Sequence, residues 1–284
     1  MSSTVSVFKP DVFAGKVAFV TGGGSGICYG IVKQLMAHGC NAAIFGRRQK
    51  NIEDAAAALS KDTGKKCIGI SGDVRKLDTL QEAIKRTVAE FGRIDFVVAG
   101  AAGNFLSPLA GLSANAFKTV LEIDTLGTYH TFKATIDELC KTKGSILAIS
   151  ATLHYTATPL QAHVSAAKAG VDALIKVIGV EYGPRGVRAN IIAPGPIAGT
   201  EGMDRLMPKE LVAEHTRAIP LQTYGSIDDI AQAATFLFSP GAKYITATTL
   251  VVDGGSWHTS QSVGGSGVYP DAFLPGGEKA FSKL

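Results

Sequence analysis

The sequence contains no run of about 18 consecutive apolar residues, so no membrane span is expected. Cysteine is scarce: four residues among 284, at positions 28, 40, 67 and 140, in no metal-ligand spacing. Free thiols in a reducing compartment are expected, and no metal site. Charge is nearly balanced, 28 lysines and arginines against 24 aspartates and glutamates, for a net +4. The longest basic cluster is Arg47-Arg48-Gln49-Lys50. That is too short for a nucleic-acid tract, although a weak positive balance suits small anionic ligands such as phosphates. Met1 to Lys16 has no basic region followed by an apolar stretch and does not read as a signal peptide. No internal repeat is visible, and no break in composition marks a second domain.

Glycine, by contrast, is abundant, with 33 residues against 46% hydrophobic residues and a mean hydropathy of +0.19. This predicts a globular chain with many tight turns or loops that let the backbone approach a phosphate. From Lys16 onward short apolar runs alternate with helical patterns. Strands are expected at 17–20, 41–45, 67–71, 95–99, 145–149, 187–193 and 248–252. Helices are expected at 27–37, 51–59, 77–91, 113–139 (capped by Ser113), 162–182 and 227–238. That order predicts a single doubly wound α/β domain of Rossmann type, with a seven-stranded parallel sheet and helices on both faces. It would span 16–258, between an N-terminal arm, 1–15, and a C-terminal tail, 259–284. The tail is rich in glycine and proline and closes on Ser282-Lys283-Leu284. At a free C-terminus this tripeptide is the address read by the peroxisomal import receptor.

Thr21-Gly22-Gly23-Gly24-Ser25-Gly26-Ile27 joins the first strand to the first helix. Such a turn brings backbone close to a pyrophosphate, and the helix N-terminus supplies N–H donors. The second strand ends in Phe45-Gly46-Arg47-Arg48, with two guanidiniums and no carboxylate. Arginine matches a ribose 2′-phosphate by bidentate bonds, so NADPH rather than NADH is the expected cofactor.

Thr21-Gly22-x-x-x-Gly26-Ile27 resembles the cofactor turn of the short-chain dehydrogenases/reductases, with Cys28 in place of the usual third glycine. Asp73, in Gly72-Asp73-Val74, matches the family aspartate that meets the adenine. Ala99-Gly100-Ala101-Ala102-Gly103-Asn104 stands where the family usually has Asn-Asn-Ala-Gly: the small residues remain and the asparagines do not. By position, the resemblance adds Val74, Ala99, Pro194, Gly195, Ile197 and Thr200 to the cofactor-binding set of Thr21, Gly22, Gly24, Ser25, Gly26, Ile27, Arg47, Arg48, Asp73 and Lys168.

The family's Tyr-x-x-x-Lys centre is altered. Lys168 holds the lysine place, but Val164 holds the tyrosine place and cannot transfer a proton. The place of the family serine falls near Ala151, flanked by Ser150 and Thr152. Ala102-Gly103-Asn104-Phe105, Glu122-Ile123-Asp124-Thr125-Leu126-Gly127-Thr128, Ile149-Ser150-Ala151-Thr152-Leu153 and the stretch from Ala193 to Gly202 look like the peroxisomal 2,4-dienoyl-CoA reductases. The resemblance covers roughly 13–260.

It implies an NADPH-dependent reduction of 2,4-dienoyl-CoA to 3-enoyl-CoA in the peroxisomal matrix, auxiliary to β-oxidation of unsaturated fatty acids. Hydride would enter at C5 and a proton at C2. Asp124 and Lys168 would be the catalytic pair, acting through a water, with Tyr155 and His163 as alternative proton donors. Phe105 and Ser113 are expected on the acyl or thioester side, and Arg75 and Arg205 at the CoA phosphates. A homo-oligomer, commonly a tetramer, is implied by the family. The rival readings are another acyl-CoA reductase, such as a 2-enoyl-CoA reductase, and a scaffold that binds NADP(H) without chemistry.

Overall fold

The computed structural model describes residues 7–200, 202–203 and 211–259. Seven parallel strands form one sheet: β1 (Val17–Thr21), β2 (Asn41–Gly46), β3 (Cys67–Ser71), β4 (Phe96–Ala99), β5 (Ser145–Ile149), β6 (Arg188–Pro194) and β7 (Thr249–Val252). Their spatial order is β3-β2-β1-β4-β5-β6-β7. The chain winds outward from β1 to β3, crosses back to β4, then winds the other way. The strand order therefore reverses between β1 and β4, and a cleft opens there beyond the C-terminal ends of the strands.

Side-chain alternation divides the core in two. Ala18, Val20, Ala42, Ile44, Phe96, Val98, Leu147 and Ile192 point to one face of the sheet. There they meet Ile31, Val32, Leu35 and Met36 of α1 (Gly26–Ala37) and Ile52 and Leu59 of α2 (Gln49–Thr63). Phe19, Ala43, Phe45, Val97, Ile146 and Ile191 point to the other. They meet Leu80 and Ile84 of α3 (Leu77–Phe91) and helices further along the chain. The seven predicted strands and the doubly wound single domain are thus present. The segment before β1 joins this core as well: Phe13 is buried and packs edge-on against Phe96, with ring centres 5.0 Å apart.

The one long helix expected over 113–139 is three pieces in succession. Ser113 caps α4 (Ala114–Leu121) by accepting from the Ala116 N–H at 3.2 Å. A single π turn follows at Glu122–Leu126, then α5 (Gly127–Thr142). A π turn holds one residue more than an α turn and re-aims the side chains within it, and such turns recur at functional sites. This one contains Asp124. Helices α6 (Ala162–Tyr182) and α8 (Ile227–Phe238) lie where expected, whereas the short α7 (Val212–Ala218) and α9 (Ser256–Thr259) were not read from the sequence. All four cysteines are free thiols. Among the described residues no cluster could hold a metal ion, and no helix is long and apolar enough to cross a membrane.

Candidate active site

A cleft of about 660 Å³ lies over the C-terminal ends of β1, β2, β4 and β5. Its floor is the β1–α1 turn. Gly22 takes φ +73°, and a Cβ there would press to 2.9 Å from the Gly100 carbonyl, so only glycine lets the turn lie this close to the loop after β4. Ser25 precedes α1 but its side chain forms no capping hydrogen bond, and the first turn of α1 has no acidic residue. The leading N–H groups of α1 are therefore left for an anion in the cleft.

Of the residues expected to hold a cofactor, Gly22, Gly24, Ser25, Gly26 and Ile27 line this floor, and Arg47, Arg48, Asp73, Val74, Lys168 and Thr200 line the walls. Arg47 and Arg48 are exposed and form no ion pair among the described residues. Thr21 and Ala99 lie just beneath the wall. The Thr21 hydroxyl accepts from the Gly100 N–H at 3.1 Å and ties β1 to the loop after β4. Pro194, Gly195 and Ile197 do not line the cleft. Gly195 N–H closes onto the Val252 carbonyl at 3.0 Å, and Ile197 is buried in the core. Asn51, Ile52 and Asn104 also face the cleft and were missed, and of the two hydroxyls flanking the family serine place only Ser150 faces it. Asn51 is there because Gly24 has no Cβ, which would stand 2.6 Å from its Oδ1.

At the inner end, Asp124 and Lys168 meet at 3.0 Å, both buried. Their placement follows from the helices that carry them. The Thr125 hydroxyl donates to the Ala167 carbonyl at 2.8 Å and pins the π turn to α6. Asp124 Oδ1 accepts from the Gly103 N–H at 2.8 Å, and Lys168 Nζ donates to the Ile149 carbonyl at 2.9 Å. The two charges thereby join the ends of β4 and β5. Although Lys168 is close, no described donor is aligned with Asp124 Oδ2, so that oxygen keeps acceptor capacity. The ammonium has three N–H donors, and only one is committed to a carbonyl.

Val164 occupies the place of the missing tyrosine. It is buried among Val120, Ala167, Phe105 and Leu153, an apolar patch beside the charged pair. Phe105 stands one layer behind the cleft, stacked on the buried His163 at 4.2 Å. Burial lowers the His163 pKa, favouring neutral imidazole. Ser150 lines the cleft with a buried hydroxyl that has no partner among the described residues, whereas Thr152 does not line it. Tyr155 points away and donates to Asp172 at 2.9 Å.

The remaining predicted residues are scattered. Arg75 forks onto Asp73, with Nε 3.0 Å from both carboxylate oxygens, and this contact holds the Asp73 carboxyl below the usual carboxylate range. Ser113 is exposed and engaged as a helix cap. Arg205 and Ser282-Lys283-Leu284 lie outside the described residues.

Cys28 answers the anomaly in the glycine-rich turn. It is buried, and burial pushes its thiol up to about 12 despite the nearby Lys168 ammonium. Its Sγ occupies the space a Cβ on Gly100 would need. The larger residue on α1 is matched by the smallest one after β4.

Comparisons with known proteins agree with this architecture. Residues 22–256 match a family model described as enoyl-(acyl carrier protein) reductase. The peroxisomal 2,4-dienoyl-CoA reductase [(3E)-enoyl-CoA-producing] of Saccharomyces cerevisiae is 50% identical over 274 residues, covering 95% of this chain and 94% of that protein. A protein of the same description from Danio rerio is 46% identical, covering 92% and 87%. A short chain dehydrogenase from Bacillus anthracis superposes with a TM-score of 0.78 at 34% identity, covering 88% of this chain and 99% of that one. The chain belongs to the short-chain dehydrogenase/reductase family.

Proposed function

We propose that this protein is an NADPH-dependent 2,4-dienoyl-CoA reductase that yields 3-enoyl-CoA, working in peroxisomes on unsaturated fatty acids. The observation that carries the reading is the buried Asp124–Lys168 pair beside Val164. The usual tyrosine acid is gone, yet a carboxylate and an ammonium remain in contact at the inner end of the cleft. The activity and the peroxisomal setting also follow the names of the yeast and fish relatives.

The residues fit a nicotinamide dinucleotide. The uncapped start of α1 and the close approach at Gly22 suit its pyrophosphate. Arg47 and Arg48 would take the 2′-phosphate, and Asp73 the adenine side. Lys168, with donors to spare, would take the nicotinamide ribose. Once bound, the nicotinamide supplies hydride.

The chain's own residues do the acid work. Asp124 holds the Lys168 ammonium at 3.0 Å, and the spare N–H donors of that ammonium would engage a water in the cleft. That water carries a proton from Lys168 Nζ toward C2 of the substrate, and solvent replaces it. Val164 and Leu153 form an apolar wall for the acyl chain, with Phe105 packed behind them. Arg75 and Arg205 are assigned to the CoA phosphates and Ser113 to the thioester side. For Arg75 this requires exchanging its fork on Asp73 for phosphate. Ser282-Lys283-Leu284 is assigned to import. Exposed Tyr129 on α5 and Val177 and Val180 on α6 support self-association.

The test is NADPH oxidation at 340 nm with 2,4-hexadienoyl-CoA, the product identified by mass and double-bond position. Asp124→Ala should lower kcat by about 100-fold or more while cofactor still binds. Near-normal turnover of that variant with NADPH saturating would remove Asp124 from the mechanism. Cofactor binding without turnover, on short and long dienoyl chains alike, would identify a scaffold.

A further inference from the structure

The loop between β5 and α6 carries Ser150, Ala151 and Leu153 onto the cleft wall, yet its backbone is unfavourable. Ala157 and Leu160 both lie in the left-handed region, at φ +50° and +65°. A non-glycine residue there is strained, and such strain persists only where the surroundings over-determine the conformation. Few main-chain bonds hold the loop. Tyr155 N–H reaches the Thr152 carbonyl at 3.0 Å, Thr158 N–H the Leu153 carbonyl at 3.2 Å, and Ser107 N–H the Leu160 carbonyl at 3.1 Å.

A side-chain clamp supplies more. Asp172 is buried on α6, one turn after Lys168 on the same face. Its Oδ2 accepts from the Tyr155 hydroxyl at 2.9 Å and from His154 Nε2 at 3.0 Å. Both donors belong to the strained loop. Tyr155 also packs edge-on against Trp257 of α9, with ring centres 5.6 Å apart. Leu153, directly before the clamp, packs with Phe105 and Val164. None of the three clamping groups lines the cleft.

We propose that Asp172 is a positioning residue for the reaction, holding His154 and Tyr155 so that Leu153 and its neighbours keep the wall against which the acyl chain lies. This rests on the acyl-CoA reading above for the identity of the substrate, but not for the order of the loop. Hydrogen bonds to a buried carboxylate are the strong kind, and removing their shared acceptor orphans two donors at once. The Lys168–Asp124 pair has its own anchors on Ile149 and Gly103, so chemistry should survive where substrate placement suffers.

The experiment is hydrogen exchange together with kinetics on the full chain, comparing the natural sequence with Asp172→Ala and Asp172→Asn. In Asp172→Ala the amides of Tyr155 and Thr158 should exchange about tenfold faster while those of β4 do not change. KM for dienoyl-CoA should rise about tenfold, with kcat within about threefold and the NADPH Kd within about twofold. Asp172→Asn keeps an acceptor oxygen and should recover part of the loss. Unchanged exchange in the loop, or an NADPH Kd that moves as far as the acyl-CoA KM, overturns the proposal. If Asp172→Ala does not fold, His154→Phe with Tyr155→Phe removes both donors from the partly buried side and is read against the same criteria. Should the natural chain fail to reduce dienoyl-CoA, the functional reading falls while loop exchange still decides the role of Asp172.

Discussion

The fit between Cys28 and Gly100 can be measured as a coupling energy. Gly100→Ala places a methyl well inside van der Waals contact with Cys28 Sγ and 3.2 Å from the Thr21 carbonyl oxygen. Cys28 is buried between α1 and the sheet. Overpacking of this kind costs about 1–3 kcal/mol. Cys28→Ala removes only the sulfur, for about 1 kcal/mol of lost packing, partly offset by the better helix propensity of alanine. In the double variant the new methyl enters the space the sulfur has left. The double change should therefore cost about 1 kcal/mol rather than the sum, a coupling of about 1–3 kcal/mol. Urea unfolding of the four proteins at one protein concentration reads this directly, since self-association would otherwise shift the midpoints. Both residues also line the cleft, so the NADPH Kd should worsen in Gly100→Ala and recover in the double variant. Additivity within about 0.5 kcal/mol would show that the two side chains do not compete for one space.

Three further outcomes follow from the geometry. Arg47→Ala with Arg48→Ala should raise KM for NADPH by about 10–100-fold through the loss of charge-assisted bonds and leave that for NADH within about threefold; equal losses would remove the 2′-phosphate from the argument. His163 has its pKa lowered by burial, so the unfolded chain binds a proton that the folded one resists, and stability falls as pH drops below about 6.5, with a slope of at most about 1.4 kcal/mol per unit. His215 is shifted the same way, so the contribution of His163 is read from urea unfolding at pH 7.5 and 5.5 as the slope lost in His163→Gln; an unchanged slope refutes it. Removing Ser282-Lys283-Leu284 from the chain should move a fluorescent fusion carrying its label at the N-terminus from peroxisomes to the cytosol, and retained peroxisomal signal would show that the tripeptide is not the address.

The sheet was legible because its five inner strands are buried on both faces. Runs such as Val17-Ala18-Phe19-Val20 leave little ambiguity when glycine-rich turns and amphipathic helices bracket them. The π turn was not legible. Glu122 to Leu126 continues a helical pattern without proline or glycine, and the inserted residue is detectable only through the hydrogen bonds it displaces. Asn51 was invisible for a related reason: it comes from a helix remote from the glycine turn and reaches the cleft only because Gly24 leaves it room.

The departures from the family pattern carry the most information once they are placed in space. Along the chain, cysteine for glycine at position 28 and the missing asparagines in the stretch from Ala99 to Asn104 read as two separate losses. In the fold they form one contact in which volume has moved from the loop to the helix. The loss at Val164 reads in the same way. Valine removes an acid but extends the apolar patch of Val120, Ala167, Phe105 and Leu153, while a carboxylate is supplied from the π turn. A tyrosine restored at 164 would therefore enter an apolar wall, and its hydroxyl would compete with Asp124 for Lys168 instead of rebuilding the ordinary centre. Each departure is answered on a neighbouring element, and for that reason spacing alone identified the family while the geometry was needed to see how its altered centre holds together.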